Sequence, residues 1–481
     1  MVEKTYSIEL MLIAVFTASL LILLGTVLRY LIPPLQKMHM PAAVIGGIVG
    51  VVIGPQVFGY DISGYFGFQD EWKAMYKIWK ELPAYLISVV FAALMMGKKL
   101  PSFKKVMDKS SQHLVVGYSI AWGHYIVGIL ITIFCLIPFL DANPLSSALI
   151  AIGFQGGYGT AAGLGDTYAK LGFPQGYDLA LGMATAGKVS AILVGLVLIN
   201  IAVGFSKMNS PTRTKKEHLR EDIKEFEGKK AVRKQRLEMH FSADTLILHT
   251  ALLCFAIGIG WGLRELFFFI ESFFMTREDG VMQYIPLFPM ALIGGVILQG
   301  FVQLVKKSHM VNHHHIHSIS HSFLDLLIVV AIATLSMKTI SENWLLLVIL
   351  IGAGVGWNLL AFFVIAPRLY TSAPWIRGLG DFAHSTGAAT TALLLMKIID
   401  PNDETGARTG FTMKQPFYEP IVGGGLVTAL ALPMIFAAGL YVTLVIALVL
   451  FIITLLIGWK FLGIKDENTL FDEETAAKQI N

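Results

Sequence analysis

GFQGGYGTAAGLGD, residues 153–166, holds six glycines in fourteen positions, inside a chain otherwise built of long Leu, Ile, Val and Phe runs. Within a bilayer, irregular glycine-rich backbone is tolerated only where it is buried in protein or lines an aqueous cavity. The stretch therefore predicts a broken helix beside a pathway. The segment after it, DTYAKLGFPQGYD at 166–178, is too polar to complete a span, and the next apolar run begins only near Leu179. A re-entrant hairpin that turns back on itself accounts for both observations. Its small residues let two arms pack closely. Its exposed carbonyls, free helix-terminal amides and the Thr160 hydroxyl can replace water around an ion or a carboxylate. The competing reading is a small-xxx-small packing motif between helices.

Composition sets the solvent. Of 481 residues, 55% are hydrophobic and 15% charged, and the charges gather between apolar runs long enough to cross a membrane, such as 7–31, 113–140, 179–205, 244–273 and 344–366. Spans must pair their own backbone polar groups, so the fold class is an all-α polytopic membrane protein. The first run lacks a small-residue cleavage site and continues into another span, so it reads as a retained helix. A net charge of +4 is too small to indicate nucleic acid. Cys135 and Cys254 lie within apolar spans, which argues against a disulfide framework or a metal site.

One polar segment, 206–243, carries eleven Lys and Arg against six Asp and Glu. It divides the chain into a first transmembrane domain at 1–205 and a second at 244–439, followed by an added apolar run at 440–464 and a polar tail at 465–481. Basic loops stay on the cytoplasmic side, so the linker is expected inside and the amino terminus outside. The halves are faint copies of one another. PAAVIGGI at 41–48 is echoed by PMALIGGV at 289–296, VVFAALMMGK at 89–98 by VVAIATLSMK at 329–338, and GTAAG at 159–163 by TGAAT at 386–390. Three echoes in one order indicate an internal repeat. About five spans per half, an odd number, make the repeats inverted. Inverted repeats with broken helices mark secondary transporters, whose sites lie near the midplane where the halves meet.

The equivalent of the opening stretch is GLGDFAHSTGAATTALLLMK at 378–397, with Ser385, Thr386, Thr390 and Thr391 as hydroxyl ligands. Candidate substrate- and ion-binding residues are Gly156, Gly157, Tyr158, Gly159 and Thr160 in the first hairpin. In the second they are His384, Ser385, Thr386, Gly387 and Thr390. Lys188 joins them. It stands inside an apolar span just after the first hairpin, where a lysine costs about 2.5–3.5 kcal/mol unless it snorkels or has a function. Its ammonium would hold a substrate carboxylate or stand where a coupling ion binds, and His384 is the next cation to consider.

GGYGTAAG at 156–163 resembles the GGHGT motif of the sodium/glutamate symporter family. GAATTALLLM at 387–396 is similar to that family's GATPTA segment, and a helix opening PIVGGGLV follows at Pro420. The resemblance implies two inverted five-helix domains, each with a re-entrant loop between its fourth and fifth helices. It further implies sodium-driven symport of L-glutamate or a related acidic amino acid across the cell's cytoplasmic membrane, with no cofactor beyond the coupling ion. Backbone carbonyls with Thr160, Ser385 and Thr386 would coordinate sodium, and a homodimer is one assembly open to such a chain. Tyr158 stands where the family has histidine, and His384-Ser385-Thr386 replaces part of a glycine-rich run.

Other polar residues have plainer readings. The histidines of VNHHHIHSISH, 311–321, are expected in a solvated cytoplasmic loop rather than in a metal site. His113, His124 and His249 read as hydrogen-bonded packing residues, Asp325 as a carboxylate near a helix start, Glu9 as interfacial, and 400–416 as a hydrophilic insertion. Two alternatives to transport by alternating access are a channel or passive facilitator for a small anion and an intramembrane aspartyl protease. The protease reading rests on GLGD at 163–166 and 378–381, but one copy follows its small-residue core and the other precedes it, so the two aspartates are not symmetry mates.

Overall fold

The computed structural model describes residues 7–33, 35, 40–57, 65, 67, 69–97, 103–204, 243–274, 280–306 and 311–462. The tail at 465–481 and all of the basic linker except Ala243 lie outside them. Among the described residues, eight helices are long and apolar enough to cross a bilayer. The protein is a polytopic α-helical membrane protein.

The first half opens with α1 (Ile8–Leu31), α2 (Ala42–Ile53) and α3 (Gln69–Ala93). Ser7 caps α1, its hydroxyl accepting the Leu10 amide at 3.1 Å, and Glu9 lies in the exposed first turn. α4 (Phe103–Ile131) continues through a π turn at Thr132–Leu136 into Ile137–Leu140. A broken segment follows: a 3₁₀ turn at Pro144–Ala148, a π turn at Ala151–Gln155, α5 (Gly157–Gly163) and α6 (Gly165–Lys170). α7 (Gly176–Gly204) ends the half. The second half repeats the order with α8 (Ala243–Glu271), α9 (Leu287–Leu304), α10 (His313–Ala333), the short α11 (Met337–Glu342) and α12 (Trp344–Leu360). α12 also runs through a π turn, Ala361–Ile365, into Ala366–Leu369. Then come α13 (Pro374–Thr386), α14 (Ala389–Ile399), α15 (Ala407–Tyr418) and α16 (Leu426–Leu462). The backbone leaves helical geometry at Gly439 (φ 81°), the residue before the added apolar run.

Two groups of helices result. In the first, α1 packs on α2 and α8 on α9, while α2 lies against α10 as α9 lies against α3. The two IGG motifs set these contacts. A methyl group on Gly46 would strike the Leu21 carbonyl of α1, and one on Gly294 would strike the Ala256 carbonyl of α8. The next glycine in each motif faces the other half: Gly47 meets Ile332 of α10 and Gly295 the Ala92 carbonyl of α3. Small residues at these positions let helix backbones approach, which drives association where lipid removes the hydrophobic incentive. The second group contains α4, both broken segments, α7, α12, α15 and α16, with α4 against α12, α15 and α16. α13 and α14 lie along each other, so 374–399 is a helical hairpin whose tip is Gly387–Ala388.

Two sequence expectations need correction, and a third acquires a shape. The histidine-rich segment is not a loop: Asn312 caps α10 by accepting the His314 amide at 2.9 Å, and His313 to His321 form the helix's first turns. Spaced four apart, His313, His317 and His321 share one face, with the rings of the last two 4.2 Å apart. Among the described residues, no group of three His, Cys, Asp or Glu side chains is placed to hold a metal ion. Asp325 lies well inside α10, not near its start. The hydrophilic stretch 400–416 is a tight turn and most of a helix. Asp400 accepts the Glu404 and Thr405 amides and the Thr405 hydroxyl, and Asp403 accepts the Arg408 and Thr409 amides, which launches α15. Burial opposes ionisation of Asp400, but the Thr405 and Glu404 donors hold its carboxyl below the usual range.

Candidate functional site

The first broken segment, the hairpin expected from the sequence, meets the second hairpin on α7. A methyl group on Gly187 would run into the Thr386 carbonyl at the tip of the second hairpin and into the Phe154 ring of the first. The adjacent residue is Lys188. Its ammonium lies 5.6 Å from the centroid of the Tyr158 ring, within cation–π range. Its Cα backs Gly387, and Asp325 of α10 lies within electrostatic reach. Lys188, Tyr158, Thr386 and Gly387 therefore converge, drawn from both hairpins and the helix between them.

The remaining candidates separate. Gly157 has φ +60° and faces open space, so it breaks the chain's direction and leaves its own backbone approachable. Gly156 and Thr160 pack against the break after α15, where the Thr160 hydroxyl donates to the Gly424 carbonyl at 2.9 Å. Gly159 faces Ile87 of α3, and Gly163 faces Ile87 and Phe288. For those two residues the packing reading describes what the structure shows. Thr390 is exposed. His384 Nε2 lies 3.7 Å from Glu419 Oε1. Buried Ser385 lies beside Tyr418, and its Oγ makes no hydrogen bond of ordinary geometry. The Thr160, Ser385 and Thr386 hydroxyls thus have three separate settings.

Polar side chains outside the candidate set tie this region together. Thr386 Oγ1 donates to the Phe382 carbonyl (2.6 Å) and accepts from Asn358 Nδ2 (2.8 Å). Asn358 Oδ1 lies 2.8 Å from His124 Nε2, so one buried chain joins α4, α12 and the second hairpin. From the first hairpin, Gln155 Nε2 donates to the Tyr418 hydroxyl at 3.0 Å. Gln155 Oε1 and His384 Nδ1 are buried without a hydrogen bond of ordinary geometry, and Gln155 also lies within reach of His124. Truncating the bridge should be costly: Asn358→Ala takes the partner from His124 Nε2 and leaves Thr386 Oγ1 only its bond to the Phe382 carbonyl, worth about 1–3 kcal/mol. The expected result is a lower unfolding midpoint for the purified variant together with weakened transport; an unchanged midpoint would show the bridge to be incidental.

The GLGD aspartates sit apart in character. Asp166 is exposed in α6, whereas Asp381 is fully buried and ion-paired with Lys414. Asp381 therefore meets a cation, and no carboxylate dyad of the protease kind is formed around it.

A family model described as sodium/glutamate symporter matches residues 8–401, a stretch that holds both hairpins and Lys188. The chain belongs to the sodium/glutamate symporter family. The symporter is accordingly a membrane transporter and not an enzyme. No protein of curated function and no solved structure matches it. The family match ends before α15, so Lys414, Tyr418 and the glycine break at 423–425 lie outside it.

Asn358, Gln155 and Tyr418, which tie this region together, carry no signal of their own in the sequence, and His124 reads there as a packing residue. A lone Asn, Gln or Tyr in an apolar run gives no periodic signal. The polar character of Asn358 within a span was the one available hint.

Proposed function

We propose that the protein carries glutamate or a related acidic amino acid together with sodium across the cell's cytoplasmic membrane, by alternating access around the two hairpins. The observation that carries this reading is the convergence of both hairpins on Gly187 beside Lys188, the ammonium best placed to meet a substrate carboxylate. Family membership supplies the cation and the substrate class. The hydroxyls of Thr160, Ser385 and Thr386, with carbonyls freed at the helix breaks, are the proposed sodium ligands. Related by an in-plane pseudo-two-fold axis, the halves form two inverted repeats; the matching roles of the two IGG motifs support that reading.

Uptake by purified protein in liposomes tests the proposal, with sodium and proton gradients imposed separately. Labelled glutamate should accumulate above its external concentration under an inward sodium gradient alone. Simple equilibration would indicate a facilitator, and accumulation under a proton gradient alone would replace the coupling ion. Orientation has its own test: a cysteine introduced at Lys215 should react with an impermeant maleimide only from the cytoplasmic side. Labelling from outside would invert the topology.

A further inference from the structure

A second polar centre lies beside the hairpin meeting point. Asp381, in α13, is fully buried and is held by groups from three other parts of the chain. Lys414 of α15 brings Nζ to 2.5 Å from Oδ1. His113 of α4 brings Nδ1 to 3.2 Å from Oδ2. Tyr370, just ahead of the hairpin, donates its hydroxyl to the same Oδ2 and lies 2.7 Å from His113 Nδ1.

Lys414 is itself wholly buried. Past the carboxylate, its ammonium meets the rings of Phe411 and Tyr418, 4.9 and 4.5 Å from their centroids. On the remaining side is α4 at Gly117, where an added methyl group would come within 3.1 Å of Nζ. A carboxylate, two aromatic faces and a close backbone surround the charge as they would surround a small monovalent cation. Tyr418 then passes the contact on to Gln155 in the first hairpin. The further charged groups beside this centre are the Glu419–His384 pair, on the same two elements as Lys414 and Asp381, and Arg377 of α13, whose guanidinium lies 5.9 Å from the centroid of the Tyr370 ring.

An ionised carboxylate buried without a partner costs several kcal/mol, so an aspartate placed in a hairpin arm needs a cation whenever it is charged. An ion from solution would have to enter and leave. An ammonium on a four-carbon stem stays. We propose that Lys414 is a resident cation: its ammonium fills a monovalent-cation site made by Asp381, Phe411 and Tyr418, and so neutralises the Asp381 carboxylate without an ion drawn from solution. The proposal deepens the transport reading, because it removes one cation from those the hairpin must bind during the cycle. Lys414 lies beyond the family match, so the arrangement is read from this chain's own residues.

Lys414→Ala tests it by emptying the site. The purified variant should unfold at a lower temperature than wild type. Methylammonium or ethylammonium chloride should raise that midpoint and restore uptake dose-dependently, while equal choline chloride does neither and the wild type responds to none of them. A variant whose midpoint ignores the alkylammonium ions overturns the proposal. If Lys414→Ala does not insert, the comparison moves to Lys414→Met against Lys414→Met with Asp381→Asn. The double variant should insert and purify where the single one does not, and its failure to recover also overturns the proposal. The unfolding measurements need no transport, so a wild type that showed no sodium-driven uptake would defeat the transport reading and leave this test intact.

Discussion

Gly157→Val should all but abolish uptake while the protein still inserts. Two effects act together. Gly157 has φ +60°, which a β-branched residue adopts only at a cost of about 1–3 kcal/mol. To relieve that strain the chain must turn at the point that sets Tyr158 against Lys188 and Thr160 against Gly424. The valine side chain would also project into the open space beside the hairpin tip. A shift of these contacts by about 1 Å is enough to lower turnover by about a hundredfold, about 2.7 kcal/mol. The measurement is labelled-substrate uptake, normalised to protein in the membrane fraction. Gly157→Ala should fall between wild type and valine, because alanine shares the backbone strain but projects less. Normal uptake by the valine variant would mean that the open side of Gly157 is not on the substrate's route.

Lys188→Met should fold and insert, yet raise the half-saturation concentration for substrate by more than about tenfold, about 1.4 kcal/mol, or change the ion dependence. Methionine keeps the length and apolar volume of the stem, so packing against Gly387 is preserved and the charge alone is removed. The structure sharpens this expectation. The ammonium is turned onto the Tyr158 ring, with Asp325, on α10 of the other helix group, in its electrostatic surroundings. A substrate carboxylate arriving at the hairpins would compete with that aspartate for the same cation. Unchanged half-saturation and unchanged sodium dependence would assign Lys188 a purely structural part, and His384 would then be the next cation to test.

How much of this was legible beforehand differs by feature. GFQGGYGTAAGLGD announced a break because glycine density in an apolar chain has few causes, and the structure places a positive φ within it. It could not say which glycine serves which purpose: Gly157 sets the backbone, while Gly159 and Gly163 make room for Ile87. The IGG echoes were readable because a close helix crossing tolerates no side chain on either strand of the contact. The pairing of Asp381 with Lys414 was hidden. The two lie 33 positions apart, one inside a GLGD that suggested a protease and the other inside a stretch that composition marked as a hydrophilic insertion. Only the fold shows that the hydrophilic turn at 400–406 exists to deliver a buried helix. The histidines of α10 misled for a related reason, since a run of polar residues looks the same whether it forms a loop or one face of a helix's opening turns.

The π turns at Thr132–Leu136 and Ala361–Ile365 have a mechanical consequence. Each closes with an amide bonded five residues back, Ile137 to Thr132 and Ala366 to Ala361, and each leads through a proline-containing turn into one of the two broken segments. A π turn holds about one residue more than an α turn of the same helix. If either were drawn into regular α geometry with no residue lost, everything beyond it would rotate by about 100° and advance about 1.5 Å along the axis. α4 and α12 therefore each hold one residue of stored rotation at the point where a broken segment begins.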